Sequence, residues 1–268
     1  MHEQKELYAS KIFFNAALPL LKVIATDVPS LKAKFDKLTT VLQVSALDPE
    51  AEGGKYATHF IITEGEWETK LNAAHEAPDV ELEFKTIEAM NAFFKGKIGP
   101  KTLPKMKGVV KNFPAFTAML MTLLKLSDLT GATQPPKDEE TKTLMVKCFF
   151  YLLSSGISQL NKMGHAEIKD WTSKSPDRVY AFAVDGHPEV AAFIRIKAGK
   201  SRAGRGEYKR AMPFFTLRFN NLDSALGILL SIDDMLEATK AGRLIMDGGP
   251  EFGAQLGGFM LEVGDLAK

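Results

Sequence analysis

The chain has 268 residues, of which 45% are hydrophobic and 25% are charged, and its net charge is +1. These values are typical of soluble globular proteins; they exclude disordered and fibrous classes and give no electrostatic case for nucleic acid as a partner. The single cysteine, Cys148, excludes an intrachain disulfide framework and a zinc site built on thiolates.

The first elements indicate where the protein acts. Residues 1–6 are polar and carry both signs of charge, unlike a secretory signal. No uninterrupted apolar run approaches the roughly 20 residues of a membrane span. The longest run, residues 115–124, ends at Lys125. The sequence therefore predicts a cytoplasmic protein.

Apolar periodicity predicts the same order of elements in each half of the chain. The first half has a long helix, a short helix, four strands, one or two short helices, a short strand at Gly108 and a final helix. The first helix covers residues 5–26, and the strands lie near 39–47, 56–64, 66–73 and 79–85. The second half begins with a helix over 139–163, and its strands lie near 177–184, 189–197 and 207–219. Helices and strands are segregated, which indicates an α+β class with largely antiparallel sheets.

Short matches between the two halves predict a tandem duplication. Each match is weak alone, but the offset stays between 134 and 137 residues along the whole chain. The paired segments begin at Lys11 and Lys147, Val80 and Phe215, Ile87 and Leu222, Gly108 and Gly242, Pro114 and Pro250, and Ser127 and Gly264. A Gly and Pro-Pro junction at residues 131–140 places the units at 1–133 and 134–268.

Residues 242–248 read Gly-Arg-Leu-Ile-Met-Asp-Gly, a glycine and a basic residue followed by an aliphatic strand and a closing glycine. This motif and the order of elements resemble the sterol carrier protein type 2 domain. Residues 108–112 lack the basic residue and the closing glycine, whereas residues 94–100 resemble the helix end that precedes this strand. The resemblance implies two sterol-carrier-like units, each a sheet covered by helices around an apolar tunnel for a lipid, sterol or fatty acyl ligand.

Such a ligand needs no charged contact. Burial of about 14 methylenes contributes roughly 11 kcal/mol before ordering costs, so apolar surfaces are the places to look for the site. The last helix of the first unit is apolar on almost every side, which suits either a ligand site or plain core and interface packing. The predicted ligand-binding residues are Phe84, Phe93, Phe116, Met119, Leu120, Leu123, Phe215, Phe219, Leu226, Leu229, Gly253, Leu256, Phe259 and Met260.

The last helix of the second unit carries glycines at intervals of four. Gly249, Gly253 and Gly257, with Gly258 beside them, would form a face without side chains. This face predicts a roomier cavity and makes the second unit the ligand-competent half. Close packing of helices between the two copies is an equally good interpretation.

Charge is distributed unequally between the units, since all seven arginines lie in the second. Residues 197–210 hold three arginines, three lysines and one acid. A mobile basic loop here would meet phosphate headgroups, coenzyme A or, transiently, an anionic membrane. A solvated hairpin loop is the alternative. The predicted headgroup contacts are Lys200, Arg202, Arg205 and Arg210.

No motif of nucleophilic catalysis, phosphate binding or metal ligation stands out. Cys148 lies among apolar residues and is expected to be buried and inert, and His165 with Glu167 and Asp170 fits a helix start better than a metal site. The sequence predicts non-catalytic binding or transfer of an apolar ligand, without a cofactor. An enzyme acting on an apolar or thioester substrate, and an interaction protein with a duplicated dimer-like fold, are the alternatives. The oligomeric state stays open.

Overall fold

The computed structural model describes residues 2–267, which form two compact units. Unit 1 runs to Asp128 and also takes in Ala267, and unit 2 covers Leu129–Leu266. The division lies shortly before the boundary predicted at 133/134.

Along the chain, helices precede the first strand of unit 1, separate its fourth strand from its fifth, and follow the fifth. Its first helical stretch contains a π-helical turn, residues 13–17, and Pro29 at the first position of the third helix favours its start. The helices are α1 (Gln4–Ile12), α2 (Leu20–Asp27), α3 (Pro29–Phe35), α4 (Ile87–Phe94) and α5 (Phe113–Thr130). The strands are β1 (Thr39–Leu47), β2 (Lys55–Thr63), β3 (Glu66–Lys70), β4 (Val80–Phe84) and β5 (Lys105–Lys107).

The sheet of unit 1 has the order β3-β2-β1-β4-β5. Strand β1 lies in the middle, antiparallel to β2 and parallel to β4, and the other two pairings are antiparallel. Alternation along β1 sends Leu42, Val44 and Ala46 to the helix-covered face, where all three are fully buried. The hydroxyl of Thr58 on β2 donates to the carbonyl oxygen of Phe14 at 3.0 Å, joining this face to the π-helical turn.

Unit 2 repeats this architecture. Its first helix begins where Asp138 accepts a hydrogen bond from the Thr141 amide at 2.8 Å. The helices are α6 (Glu139–Lys162), α7 (Ala166–Lys174), α8 (Leu222–Leu229), α9 (Met235–Lys240) and α10 (Pro250–Ala267). The strands are β6 (Arg178–Val184), β7 (Ala192–Lys197), β8 (Lys200–Arg205), β9 (Phe215–Phe219) and β10 (Leu244–Asp247).

The strand order of unit 2, β8-β7-β6-β9-β10, is that of unit 1. Strand β6 pairs antiparallel with β7 and parallel with β9, as β1 pairs with β2 and β4. The helix after the parallel strand is capped alike in both units, by Thr86 before α4 and by Asn221 before α8. The predicted α+β class with largely antiparallel sheets is confirmed.

One part of the strand prediction was wrong. The stretch expected to be a mobile basic loop contains β8, which pairs with β7 from Lys200 to Lys197 through Arg205 to Ala192. Strand β9 begins only at Phe215, so the strand predicted from residue 207 starts eight residues too early. Residues 197–210 were predicted to be a loop because they are rich in charge and glycine. A charged edge strand, whose unpaired side is exposed to solvent, has the same composition as a loop.

Two helical stretches, Gln4–Asp27 and Glu139–Lys162, are long and apolar enough to cross a membrane by length and composition. Within their most apolar windows, 78% and 72% of the residues are buried inside the protein. Core helices of soluble proteins pass the same test, so these stretches are weak evidence for a span. The cytoplasmic location stays a prediction.

Candidate ligand site in unit 2

The sheet of unit 2 presents one aromatic face to its helices. Tyr180 and Phe182 alternate onto this face from β6, and Phe215 and Phe219 join them from the parallel neighbour β9. All four are at most 1% exposed. Phe150 of α6 lies over one end of the face, 5.6 Å from Phe182 and 6.1 Å from Phe219 between ring centroids. At the other end, Tyr180 and Phe215 are contacted by aromatic residues of α7 and α10.

Six aromatic residues meet at this second end, and we call them the aromatic cluster. Tyr180 is central, with its ring centroid 5.0 Å from that of Trp171 and 5.8 Å from that of Phe214. Helix α10 contributes Phe252 and Phe259, seven residues apart and therefore on one face of the helix. The cluster is Trp171, Tyr180, Phe214, Phe215, Phe252 and Phe259.

Two polar groups inside the cluster have no hydrogen-bond partner in the described part of the chain. The hydroxyl of Tyr180 and the indole Nε1 of Trp171 are both buried, and neither finds an acceptor or donor among residues 2–267. Their residues are 1% and 8% exposed. A buried polar group without a partner costs about 1–3 kcal/mol, which is why native proteins keep very few. Indole only donates and phenol can donate, so an acceptor such as an oxygen could satisfy either group.

The glycine face of α10 lies beside this cluster and is occupied by methionine side chains. A side chain at Gly253 would meet the thioether of Met246 and, at 3.2 Å, the ring of Phe215. A side chain at Gly257 would meet the sulfur of Met235 at 3.0 Å. These contacts come from unit 2 itself. The open groove expected here is therefore filled, by the ends of two flexible side chains that adapt readily.

A cation stands at the edge of the cluster. The guanidinium of Arg178 lies over the ring of Phe214, 3.7 Å from its centroid, and 5.4 Å from that of Phe252. No carboxylate pairs with Arg178 in the described part of the chain. Phe214 is 38% exposed, so this edge faces solvent.

A polar pocket of about 400 Å³ is lined in part by Phe259. Three of its lining residues are acids, and an anionic headgroup would be repelled there. The lining residues are His165, Glu167, Asp170, Ala254, Gln255, Gly258, Phe259 and Glu262. His165 lies 3.5 Å from the Glu262 carboxylate.

The structure brings together only part of the predicted ligand residues of unit 2. Phe215, Gly253 and Phe259 belong to the aromatic cluster or touch it. The others are distributed along the same core: Phe219, Leu226, Leu256 and Met260 are buried, and Leu229 is half-buried.

In unit 1 the predicted residues lie in two places. Phe84 and Phe93, 5.4 Å apart between centroids, form a four-ring group with Phe13 and Phe94. On α5, Met119 and Leu123 are buried, Phe116 is half-buried and Leu120 is 40% exposed.

The predicted headgroup residues do not converge on one point. Lys200 and Arg202 are exposed on β8, and Arg210 lies in the loop that follows it. The guanidinium of Arg205 lies over the ring of Tyr151, 5.0 Å from its centroid. Cys148 is buried, as expected.

Unit 1 contains a buried polar cluster that the sequence did not predict. The carboxylate of Glu81, 2% exposed, accepts from Gln43 Nε2 and Ser45 Oγ at 2.7 Å and from Lys55 Nζ and Lys107 Nζ at 2.9 Å. Burial alone would raise the pKa of this carboxyl, but the hydrogen bonds outweigh it and lower the pKa to about 2. A carboxylate with so low a pKa is a poor proton acceptor near neutral pH, so the cluster gives no support to acid–base catalysis.

A second unpredicted group lies at the N-terminal end of the described chain. His2, Asp48 and Glu50 place one donor atom each within 4.8 Å of one another. Both ring nitrogens of His2 are already hydrogen-bonded, to Asp48 at 3.0 Å and to Glu88. The arrangement is explained as an anchor of the first helix without an ion.

The sequence also did not single out Trp171, Tyr180, Phe214 or Phe252. A weak signal existed, because Arg178, Tyr180 and Phe182 alternate along a predicted strand. Nothing in the sequence indicated that the hydroxyl of Tyr180 would be buried next to α10 without a partner among residues 2–267.

Part of the chain is similar to solved structures of sterol-carrier-like proteins. No family model matches it, and no curated protein sequence does. Among solved structures, a conserved hypothetical protein of Thermus thermophilus, described as possibly a sterol carrier protein, is 19% identical over 45% of this chain and 90% of its own, with a TM-score of 0.31. A sterol carrier protein 2 crystal structure is 19% identical over 41% and 92%, with a TM-score of 0.27. A UbiJ-SCP2 ubiquinone synthesis protein is 18% identical over 44% and 96%, with a TM-score of 0.28.

Proposed function

We propose that this protein binds and carries an apolar ligand, a lipid, sterol or fatty acyl molecule, beneath α10 of unit 2. The observation that supports this most directly is the pair of buried, unpartnered polar groups, Tyr180 OH and Trp171 Nε1, in an aromatic cluster. An apolar molecule with one oxygen acceptor would fill this environment, because it satisfies both groups while it buries its body against the rings.

Room for the ligand would come from Met246 and Met235. Their thioethers fill the glycine face of α10, and an unbranched side chain can turn away at small cost. We propose that the ligand replaces these side chains along the face at Gly253 and Gly257. Unit 1, without such a face, would serve as scaffold, and the two units would stem from one duplicated ancestor.

Native mass spectrometry of the purified protein, followed by solvent extraction, tests the proposal. We expect a co-purified apolar molecule. Gly253→Leu places a side chain against Met246 and Phe215 and should abolish loading. Gly264→Leu is the matched control, since nothing lies within 4 Å of the added Cβ in the same helix. Met246→Ala should increase loading.

Equal ligand content in Gly253→Leu and Gly264→Leu would refute the site. A protein that is consistently empty, and that takes up no fluorescent fatty acid, would refute the function. Circular dichroism of each variant separates lost binding from lost folding.

The alternative of an interaction protein is favoured by one observation. Helix α5 exposes Leu120, Met121 and Leu124, at 40%, 46% and 56%, on one face. Such a stripe is typical of a surface that a partner covers. A consistently empty protein that binds one protein partner, with Leu124→Ser abolishing the complex, would favour this function over carriage.

A further inference from the structure

Residues 95–113 of unit 1 combine positive charge with exposed apolar side chains, and we call them the basic apolar surface. No aspartate or glutamate occurs between Glu88 and Asp128. Within the surface the charged residues are all lysines: Lys95, Lys97, Lys101, Lys105, Lys107 and Lys111.

Most of this charge is not neutralised within the protein. Lys107 pairs with Glu81 and Glu83. The other five lysines of the surface are exposed, and none has a carboxylate partner in residues 2–267. A cluster of unpaired cations creates a positive local potential, although the net charge of the whole chain is only +1.

Large apolar side chains lie exposed between these lysines. Soluble proteins expose such residues singly, whereas five within one short segment indicate a surface that is covered in use. The exposed fractions are 67% for Ile98, 49% for Leu103, 58% for Met106, 97% for Val110 and 58% for Phe113.

The segment is held in place by the fold. Strand β5 is the edge strand of the sheet, and Met106 pairs with Leu82 of β4. Before β5, the hydroxyl of Thr102 donates to the carbonyl oxygen of Lys97 at 2.7 Å. After β5, the side-chain amide of Asn112 donates to the carbonyl oxygen of Asp79 at 2.8 Å. The segment that carries the apolar side chains is therefore tied to the sheet at β5 and by these hydrogen bonds on either side of it.

The corresponding stretch of unit 2 lacks this character. Residues 229–250 contain four acids and two basic residues, and Arg243 pairs with Asp233. Exposed apolar residues occur there as well, such as Leu236 at 62%. A segment with lysines and no acidic residues therefore occurs at this position in unit 1 and not in unit 2. The fold that both units share does not require it.

We propose that the basic apolar surface docks unit 1 onto an anionic lipid bilayer. The lysines would meet the lipid phosphates, and Ile98, Val110 and Phe113 would enter the boundary between headgroups and acyl chains. The positive charge of these lysines favours an anionic partner. Five apolar side chains among the lysines favour a bilayer over a nucleic acid, whose phosphates would leave them in water. The proposal does not rest on the ligand site in unit 2.

Flotation of the full chain with vesicles tests it. We use phosphatidylcholine vesicles alone and with about 30% phosphatidylserine, at low and high salt. Binding is expected only to the anionic vesicles and should weaken with salt. The triple variant Lys97→Gln, Lys101→Gln, Lys111→Gln should bind on the order of 100-fold more weakly, since each lysine near an anionic surface contributes about fivefold.

Two further variants complete the experiment. Val110→Ser should weaken vesicle binding several-fold at unchanged charge. Because Val110 is 97% exposed, this substitution should not impair folding. The triple variant Lys200→Gln, Arg202→Gln, Arg210→Gln removes three charges from the other basic stretch and should bind vesicles as the unchanged protein does.

The proposal is overturned if anionic vesicles are not bound, or if the unit 2 triple variant loses binding while the unit 1 variant keeps it. Equal binding to neutral vesicles, or binding unaffected by Val110→Ser and salt, also contradicts it. Ligand content, measured by extraction, should be the same in both triple variants, so a failure here is distinguishable from a failure of ligand carriage.

Discussion

Replacing Glu81 by glutamine tests the energetic role of the buried polar cluster in unit 1. The carboxylate is 2% exposed and accepts from four side chains, two of them lysines. Its pKa falls from 4.5 to about 2 on folding. At about 1.36 kcal/mol per pKa unit, this corresponds to roughly 3 kcal/mol of stability. Glu81→Gln should lose about this amount at pH 7, because its amide group donates where Lys107 also donates.

Urea denaturation followed by tryptophan fluorescence measures this loss. The chain has two tryptophans, Trp67 in unit 1 and Trp171 in unit 2. In a Trp171→Phe background, Trp67, which is 6% exposed, reports unit 1 alone. Glu68→Gln is the control, since Glu68 and Lys70 form an exposed pair that should contribute less than about 0.5 kcal/mol.

The pH dependence gives a second test of the same reasoning. Because folding lowers the pKa of Glu81, its stabilisation is complete above about pH 4.5 and is lost as the pH falls towards 2. The difference between Glu81→Gln and the unchanged protein should therefore shrink over this range. A difference below about 1 kcal/mol at pH 7, or one that stays constant on acidification, would refute the reasoning.

Two other predictions use the same denaturation assay. Tyr180→Phe should leave the delipidated protein as stable or slightly more stable, because it removes an unpartnered buried hydroxyl, yet weaken binding of a fluorescent fatty acid roughly 3- to 10-fold; a destabilised free protein would show that the hydroxyl has a protein partner. His2, whose pKa is raised from 6.5 by its hydrogen bonds to Glu88 and Asp48, stabilises unit 1 fully below pH 6.5 and loses this effect as the pH rises through the raised pKa. His2→Gln should cost less than about 1 kcal/mol near pH 5.5, and a cost that grows at alkaline pH would contradict this assignment.

Much of the fold follows from the sequence because alternation and helical periodicity are local signals. Strand β1 was predicted at its observed residues, and the helix predicted over 139–163 matches α6, Glu139–Lys162. The sequence predicted the same order of elements along each half, but the order of strands within the sheets comes from the structure. The prediction failed at β8 because a charged strand at the edge of a sheet has the composition of a loop. Only its pairing with β7 shows that these residues are extended.

The sites were less accessible to sequence, for a physical reason. Composition indicated that unit 2 differs in glycine and arginine, and the seven arginines and the glycine face are visible without coordinates. Only the tertiary structure places the thioether of Met246 on that face and leaves the hydroxyl of Tyr180 without a partner among residues 2–267. It also pairs Lys107 with Glu81, whereas the neighbouring lysines pair with no carboxylate in the described part of the chain. Whether a polar group is satisfied, or a glycine face filled, depends on residues distant in the chain, and no local pattern contains that information.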